Sequence, residues 1–464
     1  MKYTSLRHRV LSLLVCLPLA APVAAAGIDD LVSQSWLKVE SANFRIVTEQ
    51  PEPVARLMVS DMERLRYISS KVRGVEAMPG PPLTVVAMGR RNFSRLGLPE
   101  SWGGVFQMSR MGYAALAGVE GYALDAESTN MARSTLLHEY HHFLMHLSTD
   151  AVAYPKWYDE GTAEYWSSLT VRDGFAWFGH PVEGSSREYW LRGRSGQITF
   201  DTEELFNTTR LKIDSGGDDV SRFYARARYA IHYFNSSPEL RRQLAHYLKL
   251  YNLGFSQDQA RRMAFNRSYV ELDQDMRRYV QRRPVARGFG IGKDGLDLPT
   301  VEMKFSKLDR AATYAALTEV LPRFIRRNAD VTRQLIETNL TLNPDDPDAH
   351  AAAVVYLAGD RSAGLAQLLQ RFPTNPRILT LRAESLRQSA FGMRDTGRPG
   401  WQPYLIEARG LLRQAIHADP DHALAYYGLG SCTRRCRPAN RSGKASWRST
   451  RPWCSSRGRR TFAP

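Results

Sequence analysis

The sequence predicts an α+β domain followed by an all-α region of helical repeats. Three observations predict it. Strand-like and helical hydrophobic periods alternate up to about residue 285. Beyond about residue 300 the texture changes to helices rich in Ala, Leu and Arg. That second part is punctuated by Asn343-Pro344, Asn375-Pro376 and Asp419-Pro420. The chain has 464 residues, 43% hydrophobic and 24% charged, which is globular composition with length for more than one domain.

Residues 1–26 read as a secretory signal peptide. Lys2, Arg7 and Arg9 precede an apolar run from Val10 to Pro18, and the small residues Ala24, Ala25 and Ala26 follow. No later segment approaches the ~18 apolar residues that a spanning helix requires. The mature chain is therefore expected to be exported, periplasmic or secreted, without a transmembrane span; a retained N-terminal anchor is the alternative. Cys16 leaves with the signal, and Cys432, Cys436 and Cys454 lie near the end of the chain. An exported body without cysteines must be held by packing, or by packing and metal, rather than by disulfides.

Residues 27–299 form the α+β domain. Phe44, Ile46 and Thr48 alternate with polar neighbours as in a half-buried strand, and Val54, Leu57, Met58, Met62, Leu65, Ile68 and Val72 recur at helical spacing. Leu83 to Met88 is a second strand, and Gly112 to Ala117, bounded by glycines, reads as an edge strand. Thr129 or Asn130 can cap the next helix, which runs to about Leu147, and a further helix starts near Pro155. Residues 221–282 are helical by pattern.

In residues 300–430 the three prolines fall 32 and 44 residues apart, and the difference matches an insert from Phe391 to Trp401. A period near 34 with a proline after each helix pair, best seen from Glu407 to Leu429, resembles tetratricopeptide repeats. Such pairs stack because one pair cannot bury its apolar face alone, and the array offers a surface for a protein partner. Residues 431–464 hold ten Arg or Lys, no Asp or Glu and no helical periodicity, so they read as a disordered basic tail or as sequence from a lost reading frame. Those ten, with three basic residues among the first nine, account for thirteen of the net +16. The body is nearly balanced, which argues against a nucleic-acid partner.

The chemistry lies in His138-Glu139-Tyr140-His141-His142. On a helix, positions i and i+4 share a face, so His138 and His142 can present two imidazoles to one zinc ion while Glu139 turns toward the adjoining cleft. Catalytic zinc sites typically take three protein ligands, so a third must lie elsewhere. Downstream runs Trp157-Tyr158-Asp159-Glu160-Gly161-Thr162-Ala163, with 17 residues between His142 and Glu160. H-E-x-x-H followed by W-x-x-E-G-x-A resembles the gluzincin metallopeptidases, the clan of thermolysin and aminopeptidase N. It is most similar to bacterial peptidase MA-like domains joined to tetratricopeptide repeats.

The resemblance implies a zincin-like fold for the first domain, Glu160 as the third zinc ligand, and Glu164 as the residue that orients a ligand histidine. It also implies a tyrosine near the oxyanion, which maps onto Tyr224, with His232 as second candidate. Metzincins are excluded because Met145 and Ser148 stand where that family needs glycine and histidine. No G-x-M-E-N segment lies near Gly112 to Gly118, which favours an endopeptidase over an aminopeptidase. Asp159 reads as a surface residue, and His141 as packing or solvated.

The expected activity is hydrolysis of peptide bonds in a peptide or protein substrate. One zinc ion lowers the pKa of its bound water toward 7, and Glu139 serves as general base. Two other readings are a catalytically silent scaffold acting through its repeats, and a zinc amidase acting on cell-wall material. An extended substrate is expected to pair with the Gly112–Ala117 strand.

Overall fold

The computed structural model describes residues 25–73, 82–98, 103–109, 112–122, 130–147, 153–183, 185–192, 196–209, 218–282, 284–293 and 295–433. Residues 1–24 of the expected signal segment, the basic tail beyond residue 433 and the capping candidate Thr129 lie outside them. The fold is mixed α/β, a sheet followed by many helices.

A six-stranded sheet positions the site. Its strands are β1 (Trp36–Glu40), β2 (Phe44–Thr48), β3 (Leu83–Met88), β4 (Gly104–Ser109), β5 (Gly112–Gly118) and β9 (Lys304–Leu308), in the order β4-β5-β3-β2-β1-β9. The pairs β2–β3 and β3–β5 are parallel and the rest antiparallel. The pleat sends successive residues of β3 into two different cores. Val85 and Ala87 pack on one face with Met58, Met62 and Leu65 of α2 (Glu52–Arg73) and Leu136, Leu137 and Tyr140 of α4 (Met131–Leu147). Val86 and Met88 pack on the other with Ile28 and Leu31 of α1 (Ala25–Val32), Phe93 of α3 (Arg90–Arg95), Tyr314 and Leu317 of α12 (Arg310–Val320) and Val331 and Leu335 of α14 (Ala329–Leu342). Helices on both faces explain why all six residues of β3 are buried.

Three expectations change here. The strand Phe44–Thr48 is not half-buried, because Val47, on the face opposite Phe44 and Ile46, is covered by the second layer of helices. Gly112–Ala117 is not an edge strand: β5 is bonded on one side to β3 and on the other to β4, and β4 is the terminal strand. The buried run Ala114-Ala115-Leu116-Ala117 fits an interior strand, whose two faces are both covered. The boundary expected at residue 300 falls inside a packing unit, since β9 bonds to β1 from Trp36↔Leu308 to Glu40↔Lys304 and α12 and α14 cover the sheet.

Beyond the sheet lie α5 (Lys156–Trp166), a small antiparallel sheet of β6 (Thr170–Arg172), β7 (Phe175–Phe178) and β8 (Arg287–Gly290), then α6 (Arg187–Arg192), α7 (Thr202–Asn207) and α8 (Asp218–Phe234). Residues 238–281 supply α9 (Pro238–Asn252), α10 (Gln257–Phe265) and α11 (Tyr269–Gln281). Ser237, Ser256 and Ser268 cap these three by accepting from the backbone three residues on.

After the short helix α13 (Pro322–Ile325), each proline interval holds a helix pair. Residues 344–376 contain α15 (Pro347–Tyr356) and α16 (Arg361–Arg371), and residues 376–420 contain α17 (Pro376–Asp395) and α18 (Gln402–Ala418). Asp346 and Asn375 cap α15 and α17, with Pro347 and Pro376 at the first helical position, where a missing N–H costs nothing. The insert from Phe391 lengthens α17 to Asp395 before the chain turns. Leu379, Ala383, Leu386, Leu411 and Ala415 form one small core that α19 (Ala423–Thr433) closes with Ala425. Among the described residues no helix is long and apolar enough to cross a membrane.

Candidate metal centre

The site is built by two helices. Asn130 caps α4, its Oδ1 accepting from Arg133 N at 3.1 Å. Leu136, Leu137, Tyr140, Phe143, Leu144 and Leu147 bury one side of the helix and leave His138, Glu139 and His142 on the other. α5 follows Pro155, and Trp157 anchors it by stacking on Phe206 with ring centroids 4.4 Å apart. Gly161 lies where α5 crosses α8: a Cβ there would meet Ala227 O at 2.5 Å and Ile231 Cγ1 at 2.7 Å. Only glycine permits that approach. The glycine after Glu160 thus lets α5 sit close enough to α8 for Tyr224 to reach the same site.

Three ligand atoms converge. His138 Nε2 and His142 Nε2 are 3.2 Å apart, and Glu160 Oε2 lies 3.2 Å from the first and 3.3 Å from the second. Tetrahedral zinc with bonds of about 2.0–2.1 Å separates its ligands by about 3.3–3.4 Å, so this triangle has the size of one tetrahedral face. His138, His142 and Glu160 therefore form a group able to hold a metal ion. Their side chains are 12%, 13% and 5% exposed, mostly withdrawn from solvent yet reachable.

Each ligand has its own charged partner. Asp159 Oδ1 lies 3.0 Å from His142 Nδ1, and Glu164 Oε1 3.5 Å from His138 Nδ1. Lys156 Nζ donates to Glu160 Oε1. Glu164 is itself gripped by Arg187 of α6, whose Nε donates to Oε2 at 2.8 Å and Nη2 to Oε1 at 2.7 Å. A carboxylate on the far nitrogen of a ligand imidazole fixes its tautomer and strengthens it as a donor. With all four carboxyls ionised, Glu139, Asp159, Glu160 and Glu164 outweigh Lys156 and Arg187 by two charges, which suits a dication.

The electrostatics of the group are dominated by its carboxylates and imidazoles. Burial opposes ionisation of Glu160, but the two imidazoles and Lys156 hold it well below the usual carboxylate range. Burial likewise opposes a proton on His142, yet Asp159 and Glu160 push its pKa well up. Glu139 moves the other way: burial raises it, against the neighbouring imidazoles and the Phe106 backbone hydrogen bond. Its side chain is turned to β4, since a Cβ on Gly104 would lie 2.8 Å from Glu139 Cγ.

Tyr224 also reaches this group. Its ring is 6.0 Å from that of His138, with the Arg187 guanidinium 5.1 Å above it. Burial, with Glu160, Glu139 and Glu164 nearby, pushes the phenol pKa well up, so the hydroxyl keeps its proton at neutral pH and remains a donor.

His232 is not part of this group. Its Nδ1 pairs with Tyr279 Oη at 2.6 Å and its Nε2 with Gly179 O at 3.1 Å, so both nitrogens are engaged in the core. Burial, helped by Arg228, lowers its pKa to about 4. Below pH 6.5 the unfolded chain takes this proton and the folded chain refuses it until about 4. The contribution is complete above 6.5 and is lost as pH falls, by about 3 kcal/mol at pH 4. Urea midpoints at pH 7.5 and pH 4.5 should show that loss in the wild type and a smaller one in His232→Gln; equal losses would remove the assignment.

His141 is fully buried and stacks on Trp166. Asp159 is not the surface residue that the sequence suggested; its side chain is 29% exposed and faces His142. Sequence reasoning missed Lys156 and Arg187. Lys156 had a signal, four residues before Glu160 on one helix face. Arg187 had only the general need of the Glu160/Glu164 pair for a cation. No protein-family model matches the chain, and no curated protein matches it.

Proposed function

We propose that this chain is a zinc-dependent peptidase of the gluzincin type, with a zincin-like first domain. His138, His142 and Glu160 hold one zinc ion, Glu139 acts as general base, and Glu164 orients His138. The observation that carries this reading is the convergence of three ligand atoms at 3.2–3.3 Å beside Glu139. Two imidazoles and one carboxylate are a donor set that zinc favours.

Zinc at this site supplies Lewis acidity and an activated water. Glu139 takes the proton of the attacking water and hands it to the leaving amine, a task for which a raised carboxyl pKa is suited. The Tyr224 hydroxyl, still protonated, can donate to the oxyanion as charge develops there. The substrate strand belongs on β4 rather than β5, because β4 ends the sheet and passes Glu139. An extended peptide adds to such an edge through ladder hydrogen bonds. A scaffold that merely held zinc would need neither Glu139 nor a protonated phenol. In this reading the leader-like N-terminus directs export from the cytoplasm, and the tetratricopeptide-like helices beyond residue 344 serve as a surface for a protein partner or the substrate.

The test is zinc content with casein hydrolysis. Glu160→Ala should weaken zinc binding at least ~100-fold and abolish hydrolysis with it. Unchanged zinc occupancy in Glu160→Ala would remove the third ligand, and no hydrolysis by fully loaded wild type would favour the scaffold.

A further inference from the structure

We propose that Lys156 is a positioning residue that confines Glu160 to ligation through one carboxylate oxygen, so that the metal keeps three protein ligand atoms and an open corner. The inference rests on the metal-centre reading above. Glu160 Oε2 faces the two imidazole nitrogens, while Oε1 accepts the Lys156 ammonium. A carboxylate can bind a metal through one oxygen or both. For Glu160 to offer both, Oε1 must leave Lys156 and swing toward the cation, which breaks a charge-assisted hydrogen bond around a carboxylate that is only 5% exposed.

An ordinary stabilising helix pair is a poor account of this lysine. Acid before base is the better order for pairs four residues apart, and here the base comes first. Lys156 is also the first residue of α5, and a cation in the first turn opposes the helix dipole. The helix gains little from a lysine at this position, whereas the ligand carboxylate gains a fixed orientation. Lys156 also differs in kind from the other two partners. Asp159 and Glu164 are carboxylates facing imidazoles and make them stronger donors. Lys156 is the cation of the three, and it occupies the oxygen that the metal is not to have.

Cobalt(II) loaded into the full chain in place of zinc reads this directly. Four-coordinate cobalt absorbs strongly in the visible, and five- or six-coordinate cobalt weakly. The wild type should show the strong band, Lys156→Met should lose much of it at equal cobalt content as Glu160 brings in its second oxygen, and Lys156→Arg should keep it. Cobalt stoichiometry and far-ultraviolet circular dichroism, measured on the same samples, separate a changed geometry from lost metal or lost fold. An unchanged band in Lys156→Met, a loss shared by Lys156→Arg, or failure of Lys156→Met to take up cobalt at all would each overturn the proposal and leave the metal centre standing. A wild type that binds no cobalt would overturn both.

Discussion

Glu139→Gln should keep its metal and lose about 10²–10⁴-fold in the rate of casein hydrolysis. The two effects separate because Glu139 is not one of the three ligands. Its carboxylate accepts from the Phe106 backbone, and its stem passes within contact of β4. Glutamine has the same shape and can still accept from Phe106 through its amide oxygen, so α4 and the two imidazoles have no reason to move. What glutamine cannot do is take a proton. Hydrolysis assayed at matched zinc content isolates that one difference, and a rate within tenfold of the wild type would remove Glu139 as the base. The assay also bears on the scaffold reading, in which the substitution has nothing to impair.

How far the sequence reaches is seen in these same residues. α4 and α5 were legible because their signals are local: an Asn cap, an apolar stripe, and His138 and His142 one turn apart on one face. The third ligand is legible only through the resemblance of W-x-x-E-G-x-A to the gluzincin pattern, since nothing in local periodicity says that Glu160 folds back onto α4. Strand pairing is less local still. The alternation in β2 marks a strand, but its burial on both faces depends on α12 and α14, more than 260 residues away. β4 escaped notice because its flanking glycines look like a turn, and the result was to put the sheet edge on β5. Arg187 and Asp159 illustrate a third limit. A charged residue in sequence is equally compatible with solvent and with a partner, and only tertiary contact decides between them.

Removal of one half of the fully buried Asp61–Arg133 ion pair should have a large effect on the fold. Asp61 on α2 accepts from Arg133 Nη2 on α4 at 2.7 Å and from Tyr122 Oη at 2.9 Å, and the side chains of Asp61 and Arg133 are both fully buried. Asp61→Ala takes away the carboxylate that accepts from the buried Arg133 guanidinium, which should lower the unfolding free energy by about 3–5 kcal/mol. The pair itself need not be a net source of stability. Burial pushes the Asp61 carboxyl up, and Arg133, Tyr122 and Arg64 do not pull it back to its ordinary value, so their attraction falls short of the lost hydration. An apolar replacement of both partners, Asp61→Leu with Arg133→Met, should therefore recover most of what the single substitution loses. Urea midpoints for both single variants and the double variant test this. A loss below about 1 kcal/mol in Asp61→Ala would show that the site rehydrates, and a double variant as unstable as the worse single one would show that the pair is a true stabiliser. The choice matters for the metal centre, because Arg133 lies five residues before His138 on the same helix and Asp61 joins that helix to α2.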